Sequence, residues 1–355
     1  MKKLLIREEL LKNIKPKVAI IIINWNGWQD TIECLESLFM ISYPNYVILI
    51  IDNNSNDGSI DKIKMYCAGE IKAHSKIPRC NSHHVPIDLI VCQEDELNES
   101  KIQIEKWNFK NKLILIKNKE NYGFVVGNNI GIDYSITRLG IDYILLLNND
   151  TIVDKHFLNA LVDAAENSDD IGVVGPSIYH YDNANKIILA GGEINFRTGL
   201  WNNSKIKEIS SSKCPSEVDC IEGSCFLIKR ITIETVGAMD PIFVAYWEDL
   251  DWCIRIKKAG YKIIYSPNAK IWHKVSASSN KTTGYREYFT TRNRFLIMKK
   301  YANKKEIASF LAFFFLINFW LKSLLILLYL KEPKILTCYY KAVWQGLRIL
   351  KKEIK

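Results

Sequence analysis

The sequence lacks any C-x-x-C pair, although its 355 residues include nine cysteines. The cysteines are odd in number and scattered along the chain, which is typical of reduced thiols in a cytosolic protein rather than of a disulfide framework. The first 17 residues, MKKLLIREELLKNIKPK, interleave basic and acidic side chains. They also lack the apolar stretch of ~7–15 residues that a secretory signal needs. We therefore expect a cytosolic protein.

The chain also lacks net charge over its first 298 residues, which hold 36 residues of each sign. The whole surplus of +9 lies in residues 299–355, where twelve Lys and Arg residues stand against three acidic ones. A protein that binds nucleic acid spreads positive charge over its folded recognition surface, so this distribution excludes a globally basic nucleic-acid binder. With 48% hydrophobic and 25% charged residues, the composition indicates a neutral globular body followed by a basic tail.

Apolar, β-branched runs alternate with helical patterns along the body of the chain. Strands are predicted at 18–23, 46–51, 113–116, 143–147, 225–228 and 261–265. Helices are predicted at 125–137, at 248–259, and over a segment with Asp30 as its N-cap that ends before Pro44. Continuous apolar runs are typical of strands buried on both faces of a mostly parallel sheet, so the pattern predicts an α/β fold.

A longer polar excursion occupies residues 67–112. Its metal-ligating residue types are His74, Cys80, His83, His84 and Cys92. Two interpretations stand, a zinc knuckle and a plain surface insertion. The spacing fits no compact zinc pattern, which favours the surface insertion.

Polar clusters follow two of the predicted strands directly. Asp52 follows the second strand, and Asn148-Asn149-Asp150 follows the strand at 143–147. In an open α/β sheet, ligands bind beyond the carboxyl ends of the strands. A carboxylate there can bind a base or ribose, or hold a divalent cation against phosphate oxygens. Asp and Asn are also favoured in ordinary turns, so each cluster alone fits both interpretations.

Five sequence blocks occur in order between residues 17 and 294: VAIIIINWNGWQDTIECLESL, IDNNSNDGS, NYGFVVGNNIG, LLLNNDT and VGAMDPIFVAYWEDLDWCIRIKKAGYKI. Together they resemble the family 2 glycosyltransferases, inverting enzymes of the GT-A fold that use nucleotide sugars. Within that family the chain is most similar to the rhamnosyltransferase-like branch. The resemblance implies a Rossmann-like, mostly parallel central sheet flanked by helices over residues 17–300. Residues 1–16 are then an N-terminal extension and residues 301–355 a separate helical segment.

The resemblance also implies roles for individual residues. The expected nucleotide-binding residues are Asn24, Asp52, Asn54, Asn128 and Asn148, and the expected ligands of a divalent cation, Mg²⁺ or Mn²⁺, are Asp150 and His273. The sequence departs from the family pattern twice. Asn148-Asn149-Asp150 stands where relatives carry a D-x-D motif, so only the last carboxylate remains. The residues KVSAS follow His273 where the family usually has a Gly.

The segment Glu248-Asp249-Leu250-Asp251 is expected to open a helix and to carry the reaction. By resemblance Asp249 is the general base that takes the proton from the acceptor hydroxyl. Glu248, Asp251 and Trp247 then hold acceptor hydroxyls or support the helix, and acids in a first helical turn are in any case stabilised by ~0.3–1 kcal/mol each. Three arginines either contact the diphosphate or form a solvated helix face: Arg286, Arg292 and Arg294.

The implied function is transfer of a sugar from a nucleotide-diphosphate donor, dTDP-rhamnose-like or a UDP-sugar, to a hydroxyl group. The acceptor is expected to be a glycan or lipid-linked molecule in cell-envelope polysaccharide synthesis. Two alternatives remain, a non-catalytic relative that binds nucleotide sugars and a sugar nucleotidyltransferase. The second needs a Gly-rich, basic phosphate loop after the first strand, where this chain has Asn24-Trp25-Asn26-Gly27.

The tail contains a 24-residue, almost wholly apolar stretch at 307–330. As a helix it is ~36 Å long, enough to cross a bilayer, and it could instead be a core helix or lie in the membrane interface. Asn318 and Lys322 share one helical face, and a lysine near mid-bilayer costs ~2.5–3.5 kcal/mol unless it faces protein. Basic residues on both sides favour an anionic lipid surface. We expect a membrane-associated helix, in-plane or shallowly inserted, at the cytoplasmic face.

Overall fold

The computed structural model describes residues 15–77, 86–98, 112–202, 214–275, 284–330 and 332–351. Within these ranges an eleven-stranded mixed sheet has the order β11-β13-β7-β12-β5-β1-β2-β4-β3, with β6 on β13 and β8 on β7, and β9 and β10 pair separately. The strands are β1 Val18–Asn24, β2 Tyr46–Asp52, β3 Asp88–Gln93, β4 Lys112–Lys117, β5 Tyr143–Asn148, β6 Thr151–Val153, β7 Ile171–His180, β8 Asn183–Leu189, β9 Glu193–Asn195, β10 Leu200–Asn202, β11 Ser216–Glu217, β12 Cys225–Lys229 and β13 Lys262–His273.

Helices cover both faces of the sheet and continue into the tail. They are α1 Trp28–Phe39, α2 Ser59–Cys67, α3 Gly123–Tyr134, α4 Phe157–Ala165, α5 Arg230–Val236, α6 Glu248–Lys258, α7 Tyr285–Tyr301, α8 Lys304–Phe313, α9 Phe319–Leu325 and α10 Pro333–Lys351. The α/β fold with a mostly parallel centre is therefore confirmed.

The central strands are apolar throughout because both of their faces are covered. In β1, Ile20 and Ile22 belong to a core cluster that includes residues of α1, α2 and α4. Ala19 and Ile21 point to the opposite cluster, which includes residues of α3 and α6. All four side chains are fully buried, so alternation of polar and apolar residues is absent from this strand.

The strand order reverses at β1. Its neighbours are β2 on one side and β5 on the other, and both pair with it in parallel. The crevice at such a reversal lies outside the carboxyl ends of the strands. β12 runs antiparallel to β5, with Cys225 opposite Leu147, so the beginning of β12 reaches the same crevice.

Three local predictions differ from the structure. Residues 88–93 of the expected surface insertion form β3, an edge strand parallel to β4, and Cys92 is buried there; Cys80, His83 and His84 lie outside the described residues. Gly27, not Asp30, precedes α1, and Asp30 instead accepts from Lys274 Nζ at 2.6 Å. The strand expected at 261–265 continues to His273, because β13 passes an irregularity near Ser266 and keeps pairing with β7.

The tail packs against α7 rather than standing apart from the body. Phe295 and Met298 of α7 share a buried cluster with Phe310, Phe314 and other tail residues. The polar stripe of the tail helix faces α7 as well: Asn318 Oδ1 accepts from Arg294 Nη1 at 2.8 Å, and Lys322 Nζ lies 3.5 Å from Thr291 Oγ1. Lys322 therefore faces protein.

The opposite face of the tail helix is apolar and open. Lys304–Leu328 is the one helix in the described part of the chain that is long and apolar enough to cross a bilayer by length and composition. Leu316 is 76% exposed and Trp320 65%. The other exposed apolar side chains of the tail are Ile317, Leu321, Leu324, Leu325, Leu327, Leu328, Tyr340 and Trp344. Exposed apolar surface of this extent marks an interaction site.

Candidate active site

A cavity of about 450 Å³ lies at the strand-order reversal. Ile23 and Trp25, at and beyond the end of β1, form one part of its wall, and Asn148 and Asp150, at and beyond the end of β5, form another. The segments that begin β12, α3 and α6, the end of β13 and the first turns of α7 contribute further parts of the wall. The cavity therefore occupies the place that the sheet topology assigns to a ligand.

Asp150 and His273 meet inside this cavity. His273 Nε2 lies 3.1 Å from Asp150 Oδ1, and both side chains are buried. The pair forms because the end of β13 lies against β6, where His273 is opposite Thr151. Burial acts to lower the pKa of His273, but the hydrogen bond to Asp150 and the charges of Asp150 and Glu222 outweigh it and raise that pKa.

The Asp150–His273 pair fits a divalent cation in its donor chemistry. Carboxylate oxygen suits Mg²⁺ and Mn²⁺, and imidazole nitrogen is a common ligand of transition metals. In the part of the chain that the structure describes, no three His, Cys, Asp or Glu side chains converge as a complete metal site. A cation here would take its remaining ligands from diphosphate oxygens and water, as Mg²⁺ does at phosphate sites.

Glu248 and Asp249 enter the cavity from the first turn of α6. Asp249 Oδ2 accepts from the Gly223 amide at 3.0 Å, and Oδ1 accepts from the Leu250 amide at 2.8 Å. Burial raises the pKa of Asp249, and these backbone hydrogen bonds offset part of the rise. Glu248 is 6% exposed, and its Oε2 has no hydrogen-bond partner in the described part of the chain. Burial together with the charge of Asp249 raises the pKa of Glu248.

The loop before α6 is held in a strained conformation. Val244, Tyr246 and Trp247 have positive φ angles of 66°, 64° and 74°, which cost non-glycine residues of order 1–3 kcal/mol each. Asn293 of α7 stabilises the loop, since its amide nitrogen donates to three loop carbonyls at 2.8 Å, those of Phe243, Ala245 and Tyr246. The sequence did not point to Asn293, because its partners lie about 50 residues away.

Asp251 points away from the cavity and is fully buried. It accepts from Arg255 Nε at 3.0 Å and from the Tyr301 hydroxyl at 2.6 Å, and it pairs with Lys300 Nζ at 2.6 Å. Of the two roles expected for Asp251, the geometry favours support of the helix over contact with an acceptor.

Four of the five expected nucleotide-binding residues do not line the cavity. Asn24 Nδ2 donates to Asp52 Oδ2 at 2.7 Å, both side chains are fully buried, and neither lines the cavity. Asn54 has a φ of 58° and Asn128 donates to the Phe124 carbonyl, and they do not line it either. Asn148 does, as do the neighbours of the buried pair, Ile23, Trp25 and Asn53. The roles of the buried residues stay predictions.

Of the three arginines, Arg286 alone lines the cavity. Arg292 donates to the Ile242 carbonyl at 2.7 Å. Arg294 is buried over the Phe310 ring and bonded to Asn318. A solvated helix face is therefore wrong for Arg294, and diphosphate contact remains a prediction for Arg286.

Glu222 is a cavity residue that the sequence reasoning missed. It belongs to the segment Glu222-Gly223-Ser224 that enters β12, and the Ser224 carbonyl accepts from the Asn148 amide at 2.9 Å. Burial raises the pKa of Glu222 to about 7; His273 opposes the rise, and Asp249 and Asp150 add to it. The polar clusters that the sequence indicates at the sheet edge follow parallel strands, whereas Glu222 precedes the antiparallel strand β12.

The family model described as "Glycosyltransferase like family 2" matches residues 16–294. The chain belongs to this family. It is 25% identical over 202 residues to the low-salt glycan biosynthesis hexosyltransferase Agl10 of Haloferax volcanii, covering 56% of this chain and 64% of that protein. It is 26% identical over 153 residues to the N-acetylglucosaminyl-diphospho-decaprenol L-rhamnosyltransferase of Mycobacterium tuberculosis, covering 39% and 49%. The matches thus span about half to two thirds of these relatives.

Solved structures show the same fold. The mannosyltransferase PcManGT from Pyrobaculum calidifontis, in complex with GDP-Man and Mn²⁺, matches with a TM-score of 0.53 at 13% identity. The match covers 94% of this chain and 88% of that one. At this identity the likeness establishes the GT-A fold of this family 2 member, as the sequence predicted.

Proposed function

We propose that this family 2 member is a metal-dependent, inverting glycosyltransferase that acts by single displacement. The observation that carries the proposal is the convergence of Asp249 with the Asp150–His273 pair on one cavity. Those residues supply the two functions that the reaction requires, a base for the acceptor hydroxyl and a site for the cation that accompanies a diphosphate.

Asp249 acts as the base. The acceptor hydroxyl gives its proton to the Asp249 carboxylate, its oxygen attacks the anomeric carbon, and the bond from that carbon to the diphosphate breaks on the opposite face. Attack and departure on opposite faces invert the configuration. The Gly223 and Leu250 amides hold the carboxylate in place, and burial raises its pKa, which strengthens it as a base.

Asp150 and His273 hold the cation site, and Asn148 lies beside them in the cavity wall. A bound divalent cation stabilises the negative charge of the leaving nucleoside diphosphate. No second carboxylic acid is then needed to protonate the leaving group, which is consistent with a single base. Trp247 and Glu248 line the acceptor side of the cavity, next to Asp249.

The donor in this proposal is a dTDP-rhamnose-like sugar or a UDP-sugar, and the acceptor is a glycan or a lipid-linked sugar of the cell envelope. The names of the relatives support this choice, since one is a hexosyltransferase of glycan biosynthesis and one a rhamnosyltransferase for a diphospho-decaprenol acceptor. A lipid-linked acceptor places the enzyme at the cytoplasmic face of the membrane.

The tail supplies the membrane contact in this proposal. Its outer face exposes Leu316, Trp320, Leu324 and Leu328, and basic residues stand at both ends of the apolar stretch. Each basic residue near an anionic leaflet contributes ~1 kcal/mol. Apolar side chains with Trp among them are typical of the headgroup boundary.

The packing of the tail favours an in-plane helix over a spanning one. Thr291 and Arg294 of α7 contact Lys322 and Asn318, so α7 lies alongside the tail helix. The same α7 contributes Arg286 to the cavity. A tail helix that crossed the bilayer would draw the cavity wall into the lipid, whereas an in-plane helix leaves it in water.

The test is a screen of UDP-, dTDP- and GDP-sugars for nucleotide release with and without Mn²⁺ or Mg²⁺. The proposal expects release from at least one donor that depends on the metal and increases with acceptor. Nucleotide binding without release from any donor would instead identify a non-catalytic binding protein.

A further inference from the structure

The Asn148-Asn149-Asp150 turn holds one carboxylate where a D-x-D motif holds two. Asn148 itself lines the cavity, so the position of the absent carboxylate faces the proposed cation site. A neutral amide oxygen is a weaker partner for a divalent cation than a carboxylate, because it adds no charge. Another side chain is therefore needed to supply the negative charge that is missing at position 148.

Glu222 lies where a compensating carboxylate is needed. The Asn148 amide donates to the Ser224 carbonyl at 2.9 Å, which places the Glu222-Gly223-Ser224 segment directly beside the turn. On its other side, the Gly223 amide binds Asp249 Oδ2 at 3.0 Å. Glu222 thus belongs to the segment that joins the Asp150 side of the cavity to the Asp249 side, and its side chain lines that cavity.

The environment of Glu222 suits a cation. Its Oε2 is buried and has no hydrogen-bond partner among the residues that the structure describes, which is costly for a carboxyl group. Its carboxyl interacts electrostatically with His273 and with Asp150, the two proposed ligands. Glu248 also has a buried Oε2 with no hydrogen-bond partner among the described residues. The charge of Asp249 acts on both Glu248 and Glu222, whereas His273 and Asp150 act on Glu222. Of these two acids, Glu222 is the one whose carboxyl interacts with the proposed ligands, and it lies on the segment that precedes β12.

We infer that Glu222 provides the second carboxylate of the divalent-cation site, in place of the one missing at position 148. Glu222 acts on the cation across a water of its coordination shell, since the side chains in place do not form a three-residue site by themselves. Mg²⁺ and Mn²⁺ sites at phosphates commonly keep such waters. This inference rests on the proposed metal dependence of the enzyme.

The test measures Mn²⁺ affinity by electron paramagnetic resonance, with the full chain and saturating dTDP or UDP, whichever gives the tighter complex. Loss of a residue that supports a metal from outside its ligand set typically costs 10–100-fold in affinity, so Glu222→Gln should weaken Mn²⁺ binding by about 10-fold or more. The double variant Asn148→Asp with Glu222→Gln restores the carboxylate at the D-x-D position. Its Mn²⁺ affinity should return to within about threefold of wild type.

Glu248→Gln is the matched control, because it removes another buried carboxyl from the same cavity. It should change Mn²⁺ affinity by less than about twofold. Circular dichroism confirms that each variant is folded, and rescue by the second substitution excludes a folding defect in Glu222→Gln. The inference is overturned if Glu222→Gln binds Mn²⁺ as tightly as wild type. It is also overturned if the double variant does not recover Mn²⁺ affinity, or if Glu248→Gln loses as much Mn²⁺ affinity as Glu222→Gln. A wild-type chain without Mn²⁺ affinity overturns the proposed metal dependence as well, which distinguishes the two failures.

Discussion

The backbone amide of Gly223 donates to Asp249 Oδ2 at 3.0 Å, so the proposed base is fixed by the loop that carries Glu222. One short segment thereby orients the base and, by our inference, completes the cation site. The acceptor hydroxyl and the leaving diphosphate are consequently positioned by the same piece of backbone.

Replacing Asp249 with Asn should abolish sugar transfer while leaving nucleotide binding nearly intact. The amide keeps the size of the side chain but cannot accept the proton, and loss of a general base costs ~10²–10⁴-fold in rate. Nucleotide release gives the rate, and calorimetry with the nucleoside diphosphate gives the affinity. Sugar transfer at the wild-type rate in this variant would show that Asp249 is not the general base.

The rate of transfer should fall on the acid side as Asp249 becomes protonated. Burial raises the pKa of Asp249 above its usual 3.8, and the base works only in its ionised form. Activity is therefore complete above the raised pKa and is lost as the pH falls through it. A kcat profile between pH 4 and 9 checks this, and a rate that stays constant down to pH 4 contradicts it.

Asp251→Asn should lower stability rather than acceptor affinity. The substitution removes a fully buried charge that pairs with Arg255 and Lys300, and it should cost about 2–3 kcal/mol in the free energy of unfolding. Urea unfolding measures the change. Asp182→Asn is the control, because its pair with Lys76 is exposed and should contribute less than ~1 kcal/mol. If Asp251→Asn leaves the urea unfolding midpoint unchanged and raises the KM for the acceptor, Asp251 binds the acceptor instead.

Trp320→Glu should weaken binding to vesicles that contain anionic lipid. Trp320 is exposed on the outer face of the tail helix, so the substitution leaves the packing on α7 intact while placing a negative charge at the lipid surface. Flotation with phosphatidylglycerol vesicles measures the bound fraction, which should fall several-fold. Ile231→Glu, an exposed apolar residue of α5, should bind as wild type does. Equal binding of both variants argues against the tail as the membrane contact.

The parallel core of the fold could be predicted because strands such as β1 and β2 are buried on both faces and appear as unbroken apolar runs. The family motifs also located Asp150, Asp249 and His273, which the structure brings to one cavity. The edge strand β3 left a weaker signal. In β3 only Cys92 is buried, and the strand lies within a polar stretch. Glu222 precedes its strand because β12 runs in the opposite direction.

The partners of buried charges could not be predicted for a different reason. The i, i+4 spacing of Asn318 and Lys322 indicated a shared face, and that face exists. The residues that it meets, Arg294 and Thr291, lie about 25 to 30 residues earlier in the chain, and pairing at that distance depends on how two helices pack. A sequence pattern defines a face of a helix but not what covers it.

Helix α7 belongs to both the cavity wall and the surface on which the tail packs, so it fixes the distance between the cavity and the tail. Arg286 and Thr290 line the cavity, while Thr291 and Arg294, on the next face of the same helix, contact the tail. Neighbouring helices pack ~8–10 Å apart, so the cavity stands only about two helix layers above the apolar outer face. In the proposed membrane-bound state, the cavity is therefore held at a fixed distance from the lipid surface, because the same α7 contacts the tail and lines the cavity.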